Sequence, residues 1–203
     1  MVAAERRRTG PLAAQPELWA ALGQGVRLRA ILTRFYARAF GDARLLPFFK
    51  GQSPERLVDK QYAFLAEIFT GERTYFGDRP RNAHHWMVID DALFDYREMV
   101  FFEEVARELT LDEALLAKWR AAHEAFRKQI VKSKPFPRRM AGVDMPLGGW
   151  ERDTLAAGTL CDKCQRELGV GVQVVFHKRL GTTHCLECGP EDDPVLAAAE
   201  GAA

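Results

Sequence analysis

The sequence has no apolar run near the roughly 18 residues that cross a bilayer, and its basic start, MVAAERRRTGPLAAQ, is not followed by an apolar stretch. A membrane span and a secretory leader are therefore not expected, and a cytosolic protein is. Charge of one sign is also missing: 29 Lys and Arg residues face 28 Asp and Glu residues, for a formal net charge of +1. No global field draws the chain to a nucleic acid or an anionic membrane. No cysteine precedes Cys161, and the four present form two Cys-x-x-Cys pairs. In a reducing compartment that pattern points to a metal rather than to disulfides. There is no internal repeat, and nothing supplies a flavin or nicotinamide site. What is present is a large apolar fraction, 47% of 203 residues with 10% aromatic, enough for one ordinary domain and a small one.

The pattern divides the chain into a loose N-terminus at 1–15, a helical domain at 16–131, a linker at 132–157, a cysteine module at 158–192 and a loose tail at 193–203. Leu28, Ile31, Leu32, Phe35, Tyr36 and Phe40 share one side of a helix, with Arg27, Arg34 and Arg38 away from it. Ser53-Pro54-Glu55 supplies an N-cap, a first-turn proline and a first-turn acid for the next helix. Pro80 and the capping Asp90 leave room between them for a short helical piece holding His84 and His85. A helix is expected over 91–108, and another over 111–131 opened by a capping box at Thr110-x-x-Glu113, the two pairing antiparallel. The prolines at 135, 137 and 146 and the glycines at 148–149 give the segment that follows its linker character.

Two polar groups sit on otherwise apolar stripes. Gln61 lies with Leu57, Phe64 and Leu65 on one helix face, and the Tyr36 hydroxyl lies on its own apolar helix. Burying either without a partner is costly, so the pair suggests a shared polar target. With His84 added, the residues resemble the truncated haemoglobins, small globins with a two-over-two helical sandwich, over about Leu18 to Val131. The resemblance is carried by Phe35-Tyr36, by Leu-x-Pro-Phe-Phe at 45–49, by Leu57-x-x-x-Gln61, by Tyr75-x-Gly77 and by His84 with Ile89 five residues later. It implies haem b held by His84 as proximal ligand, with His85 the poorer match to the spacing. It implies further that Phe49 packs on the porphyrin, Leu57 guards the distal side, Phe64 lines the pocket and Tyr36 with Gln61 donates to bound dioxygen. Lys60 and Tyr75 fall where the family offers groups to a propionate. The glycine pairs usual in the family are reduced to Gly23-Gln24-Gly25 and Gly71, and Arg97 stands where valine or tryptophan is common. Arg97 either turns toward a propionate or solvent or enters the pocket and adds a cation near bound ligand; the first is favoured, because an unpaired guanidinium in an apolar pocket is costly.

Cys161, Cys164, Cys185 and Cys188 have the spacing of a four-thiolate structural zinc site, since two knuckles deliver four sulfurs tetrahedrally. Val170, Val172, Val174 and Phe176 alternate before a Leu180-Gly181 turn, so the segment resembles a β-hairpin zinc ribbon. Iron in a rubredoxin-like site or a redox dithiol pair are the alternatives. His177 and His184 are read as surface residues, and balanced charge around the cysteines favours docking to a protein over nucleic acid. The fold expected is thus an all-α globin-like domain with a small C-terminal zinc ribbon. The function expected is binding of dioxygen or nitric oxide, as in oxygen transport, or nitric oxide dioxygenation with an external reductase. A gas or redox sensor acting through the zinc module, and a helical adaptor without haem, are the other readings. As separate modules, serine at Cys161 and Cys164 is expected to lose the metal and unfold 158–192 while the haem absorption band survives.

Overall fold

The computed structural model describes residues 13–49, 52–140 and 142–190. The loose tail expected at 193–203, and all but the last residues of the loose start at 1–15, lie outside these. The helices are α1 (Pro16–Ala21), α2 (Val26–Gly41), α3 (Pro54–Thr70), α4 (Pro80–Ala83), α5 (Asp91–Glu108), α6 (Glu113–Glu124) and α7 (Arg127–Ile130), with a 3-10 turn at Leu46–Phe48. Their ends follow local chemistry. Ser53 Oγ accepts from Arg56 N at 3.3 Å with Pro54 behind it, and Asp90 Oδ1 accepts from Leu93 N at 2.7 Å. Gly71 closes α3 in the left-handed region at φ 78°, its N–H on Glu67 O. Gly25 is required for space as well as conformation, since a Cβ there would lie 2.3 Å from Tyr62 Oη and 2.5 Å from Trp19.

Several boundaries differ from the sequence pattern. The capping box at Thr110 does not form; Asp112 caps α6 instead, accepting from Ala114 N at 2.8 Å and holding the start nearer Glu113. The helix expected over 111–131 breaks at Ala125–Phe126 into α6 and α7. Between Pro80 and Asp90 the helix stops at Ala83, and His84–Trp86 form a turn.

The described residues fall into two compact units. The first runs to Ala83 and resumes over Ile89–Lys132; the second takes His84–Val88 and the chain from Ser133. In the first unit α2 packs on α3 and α5, and α1 on α3 and α6. The core holds Leu28, Ile31, Leu32 and Phe35 of α2, Leu65 and Phe69 of α3, Val100 and Phe101 of α5 and Trp119 of α6. Helix α5 runs antiparallel to α6 and α7, as expected: Arg127 meets Asp91 and Asp95, His123 meets Glu98, and Trp119 meets Phe101.

The α5 face turned to α2 also buries a carboxylate. Glu104 is 1% exposed and accepts from Arg34 at 3.3 Å, Arg38 at 3.3 Å and Arg107 at 2.8 Å. A buried carboxylate is tolerated only with such partners.

The second unit is built from strands. β1 (Arg138–Met140) pairs with β2 (Val143–Met145), β4 (Thr159–Leu160) with β5 (Glu167–Leu168), and β3 (Trp150–Thr154), β6 (Gln173–His177) and β7 (Thr183–Cys185) form an antiparallel sheet in the order β3-β6-β7. Part of the expected linker at 132–157 is therefore sheet, with Trp150 opposite His177 and Thr154 opposite Gln173. Of the segment read as alternating from Val170, only Gln173 onward is strand, and its burial does not alternate: Val174, Val175 and His177 are buried while Phe176 is exposed; the turn containing Leu180-Gly181 joins β6 to β7. His177 and His184, expected on the surface, are 3% and 7% exposed, because Trp150 packs against both rings at 4.8 and 4.7 Å.

Replacing Glu104 with alanine leaves three guanidinium groups without their shared acceptor. It is expected to lower stability by about 1.5–3 kcal/mol, whereas Arg107→Ala, on the exposed side of the cluster, costs under about 1 kcal/mol. Urea denaturation of the two variants checks the difference.

Candidate functional site

Tyr36 is the centre of the first unit's candidate site. It is 5% exposed, with its ring edge-on to Phe35 at 5.1 Å and to Phe49 at 5.7 Å. Phe49 in turn stacks on Phe40 at 5.3 Å. The Tyr36 hydroxyl makes no hydrogen bond among the described residues, although burial pushes its pKa up to about 12. The phenol therefore keeps its proton and stays a donor at any physiological pH.

The core that contains Tyr36 is flanked by apolar groups that the protein only half covers. Phe40, Phe49, Leu57, Phe64 and Phe126 are each partly buried and lean on the core, while Val58 and Leu65 on the adjacent stripe of α3 are buried outright. Gln61 lies on the half-covered stripe between Leu57 and Phe64, and its amide makes no hydrogen bond among the described residues. Lys60 is exposed beside it. Phe64 meets Tyr75 at 5.3 Å and Phe126 at 5.4 Å.

Tyr75 is fixed from three directions. Its hydroxyl donates to Asp78 O at 2.9 Å, its N–H donates to Glu67 Oε2 at 2.9 Å, and Arg79 lies over its ring at 5.7 Å while pairing with Glu67. Tyr75-x-Gly77 has a local cause as well: a Cβ on Gly77 would lie 2.3 Å from Tyr75 Oη. The Tyr75 pKa is raised, first by burial and then by Asp78.

Arg97 departs from the solvent-facing reading alone. It does not turn to solvent; its side chain is 23% exposed and its guanidinium lies over Phe35 at 4.8 Å and Phe101 at 4.9 Å. The objection to an inward arginine was an unpaired charge, and the charge is paired with its neighbour Glu98. Arg97 also acts on Tyr36, opposing the rise of its pKa.

Behind Arg97 lies a network that periodicity did not disclose. Glu98 Oε2 contacts His123 Nδ1 at 2.8 Å, and Trp119 Nε1 donates to His123 Nε2 at 3.1 Å. An indole can only donate, so His123 Nε2 must be the acceptor and Nδ1 carries the proton given to Glu98. Burial favours the same neutral form and lowers the His123 pKa. Burial would raise the Glu98 pKa, but Arg97 and His123 outweigh it and bring it down to about 2. The signal available in the sequence was the Trp119-x-x-x-His123 spacing, one helical turn, opposite the charged pair on α5.

The proximal candidate, His84, and its neighbour belong to the second unit. His84 is half-buried and its carbonyl accepts from Met87 N at 3.0 Å. His85 is buried, and its Nδ1 donates to Phe136 O at 3.0 Å while its carbonyl accepts from Phe136 N at 2.9 Å. The second unit also gathers the cysteines: the sulfurs of Cys161, Cys164, Cys185 and Cys188 all lie within 4.8 Å of one another, with Cys164 and Cys185 at 3.9 Å. Four sulfurs at about 2.3 Å from one tetrahedral ion would sit about 3.8 Å apart, so the cluster fits a metal of that type. Burial would raise the Cys161 pKa, but backbone N–H groups of Cys164, Cys185 and Lys163 bring it down to about 6.

Two surface grooves, one along α5 and α6 at Asp95, Glu98 and Arg120 and one beside Gly25 and Tyr62, include neither Tyr36 nor the cysteines. Among the described residues no helix is long and apolar enough to cross a membrane.

Residues 17–127 match a protein family described as bacterial-like globin. A group 1 truncated hemoglobin of Tetrahymena thermophila is 28% identical to the chain over 81 residues, which are 40% of this chain and 67% of that protein. The family match contains every residue of the Tyr36 site and His84, and stops short of the cysteines.

The buried network sets an expected pH dependence. Glu98 titrates near 2 in the folded chain against an ordinary 4.5, so the stability it contributes is complete above about 4.5 and is lost as pH falls toward 2. His123 has a folded pKa below its ordinary 6.5, so the unfolded chain takes up that proton first and stability falls as pH drops below 6.5. Thermal midpoints measured from neutral pH downward should decline in both windows. Glu98→Gln should flatten the lower decline, and His123→Gln the upper one.

Proposed function

Because the chain belongs to the bacterial-like globin family, we propose that it holds haem b on His84 and uses it to bind a small diatomic gas, dioxygen or nitric oxide. Membership in a globin family carries haem-based binding of small gases in general; the ligand residues and the particular gas are the reading advanced here. The observation that carries it is the hydroxyl of the buried Tyr36, a protonated donor with no hydrogen bond among the described residues, on a ring that meets Phe35 and Phe49 edge-on. Half-covered apolar rings and a donor left without a protein acceptor suit a porphyrin and a polar diatomic ligand, and suit a purely structural tyrosine poorly.

Haem supplies an iron with an open position for the gas. The protein's part is to bind, to exclude water and to aim a proton. Phe49 and Phe64 would line the porphyrin, Leu57 would narrow access from α3, and Lys60 would meet a propionate, as would Tyr75 on giving up its bond to Asp78 O. Tyr36 presents its proton to the ligand's outer atom, with Gln61 as a second donor on the same side. Arg97, paired with Glu98 and lying over Phe35, adds a fixed positive field near Tyr36 and strengthens that donor.

The cysteine cluster supports zinc as a second metal, held by Cys161, Cys164, Cys185 and Cys188. Nothing in the chain suggests its own source of electrons, so sustained conversion of nitric oxide would need an external reductase.

His84→Ala should abolish stable haem uptake, and His85→Ala, whose ring is engaged with Phe136, should retain the Soret band. The reverse pattern would sink the assignment. Tyr36→Phe should raise the dioxygen dissociation rate roughly ten- to a hundredfold, the effect of losing one hydrogen bond to a charged acceptor, with carbon monoxide much less affected. Adding Gln61→Leu should be non-additive, since both donors serve one ligand. Stopped-flow displacement reads these rates, and parent-like dissociation in both variants would remove Tyr36 and Gln61 from the site.

A further inference from the structure

The residues before His84 and after Val88 belong to the helical unit, yet His84–Val88 pack with the strands. Two contacts hold them there. Phe136 and His85 exchange two hydrogen bonds, Phe136 N to His85 O at 2.9 Å and His85 Nδ1 to Phe136 O at 3.0 Å. The Arg179 guanidinium lies over the Trp86 ring at 3.9 Å. The two residues that follow His84 are thus both fastened to the cysteine-bearing unit.

Arg179 stands in the turn between β6 and β7, and that turn is tied to the cysteines. His177 Nδ1 accepts from Arg179 N at 3.3 Å and Leu180 N at 3.1 Å, and its backbone bonds Thr182 and Gly181 at 2.8 Å each. β7 follows at once and ends in Cys185, opposite Val174 of β6. Asp162, between the first two cysteines, accepts from Thr183 N at 2.7 Å and donates its own N–H to Thr183 O at 2.9 Å. Cys185 N donates to Cys161 Sγ at 3.4 Å. The buried cluster around the cysteines is small: Cys161, Leu168, Val174 and Cys185, with Leu155 and Cys188 against it. Half of its buried members are cysteines, so the order of this hairpin depends on what joins the sulfurs.

We propose that the four-cysteine module positions the axial ligand: metal held by the cysteines orders the β6–β7 turn, keeps Arg179 on Trp86, and so fixes the backbone that carries His84. Arg179, Trp86, His85 and Phe136 are positioning residues. The inference rests on His84 being the axial ligand and on the cysteines holding zinc, and it reverses the independence of the two modules expected from the sequence.

The test uses the full chain in five forms: wild type and Arg179→Ala, each with zinc and stripped of zinc by a chelator under reducing conditions, and Arg179→Lys with zinc. Three quantities are read: haem loss to excess apomyoglobin, the iron–histidine stretch of the ferrous protein by resonance Raman, and hydrogen exchange of residues 84–88 in the haem-free protein. Arg179→Ala should keep its zinc, speed haem loss roughly three- to tenfold, shift the iron–histidine stretch and expose 84–88 to exchange. Arg179→Lys should restore most of this, because a cation remains over Trp86. Zinc removal should do at least as much in wild type and should add less in Arg179→Ala than in wild type. Should Arg179→Ala lose zinc, Trp86→Leu, which removes the same contact from the other side, takes its place. Unchanged haem loss, stretch and exchange on stripping zinc would overturn the proposal while leaving haem on His84. An unaltered iron–histidine stretch in His84→Ala would instead remove the axial assignment itself, and the proposal with it.

Discussion

Helix α5 carries charge on the side it buries, and the arrangement of the helical unit follows from answering that charge. Glu104 is covered only because Arg34 and Arg38 of α2 reach it, and Glu98 only because Arg97 and His123 do. Arg34 and Arg38 come from α2 and His123 from α6, so the rotation and depth of α5 are set against α2 on one side and α6 on the other. An apolar α5 would pack in several rotations at similar cost; this one has few ways to satisfy its carboxylates. The same rotation that places Glu104 under the α2 arginines brings Arg97 over Phe35 and next to Tyr36. The polarity of the candidate ligand site is therefore a consequence of how the fold neutralises α5.

That connection explains why an arginine is tolerated where an apolar residue is common in the family. Its charge is balanced by Glu98, its faces are covered by Phe35 and Phe101, and what reaches Tyr36 is a field rather than an unsatisfied ion. A donor held in low dielectric beside a fixed positive charge is more strongly polarised than the same phenol in water. Tyr36 keeps its proton and is aimed by its packing between Phe35 and Phe49.

The helices legible in the sequence were those with strong local signals: the apolar stripe of α2, the Ser53-Pro54-Glu55 start of α3 and the Asp90 cap of α5. The α6 start was misplaced because Thr110 and Asp112 are both good caps, and the choice between them depends on the tertiary position of the first turn. β3 was missed because four of its five residues are exposed and show no alternation; only its register with β6 defines it. The direction of Arg97 follows its neighbour Glu98, whose carboxylate is held by His123 twenty-five residues away, and no periodicity reports such a partner. Of the residues that the family resemblance named, Tyr36 meets Phe49 and Phe64 meets Tyr75. The packing of His84–Val88 with the strands had no sequence signal, since it joins segments about fifty and ninety residues apart through one ring and one guanidinium.

The central claim is that this is a haem protein with a second, thiolate-bound metal. Its most direct test is an absorption spectrum of the purified full chain with iron and zinc quantified on the same sample, before and after addition of haem. The account predicts a Soret band with iron near one per chain and zinc near one per chain. A well-folded chain that shows no Soret band even with haem supplied would contradict it, and would leave the Tyr36 site as a globin core that has lost its cofactor.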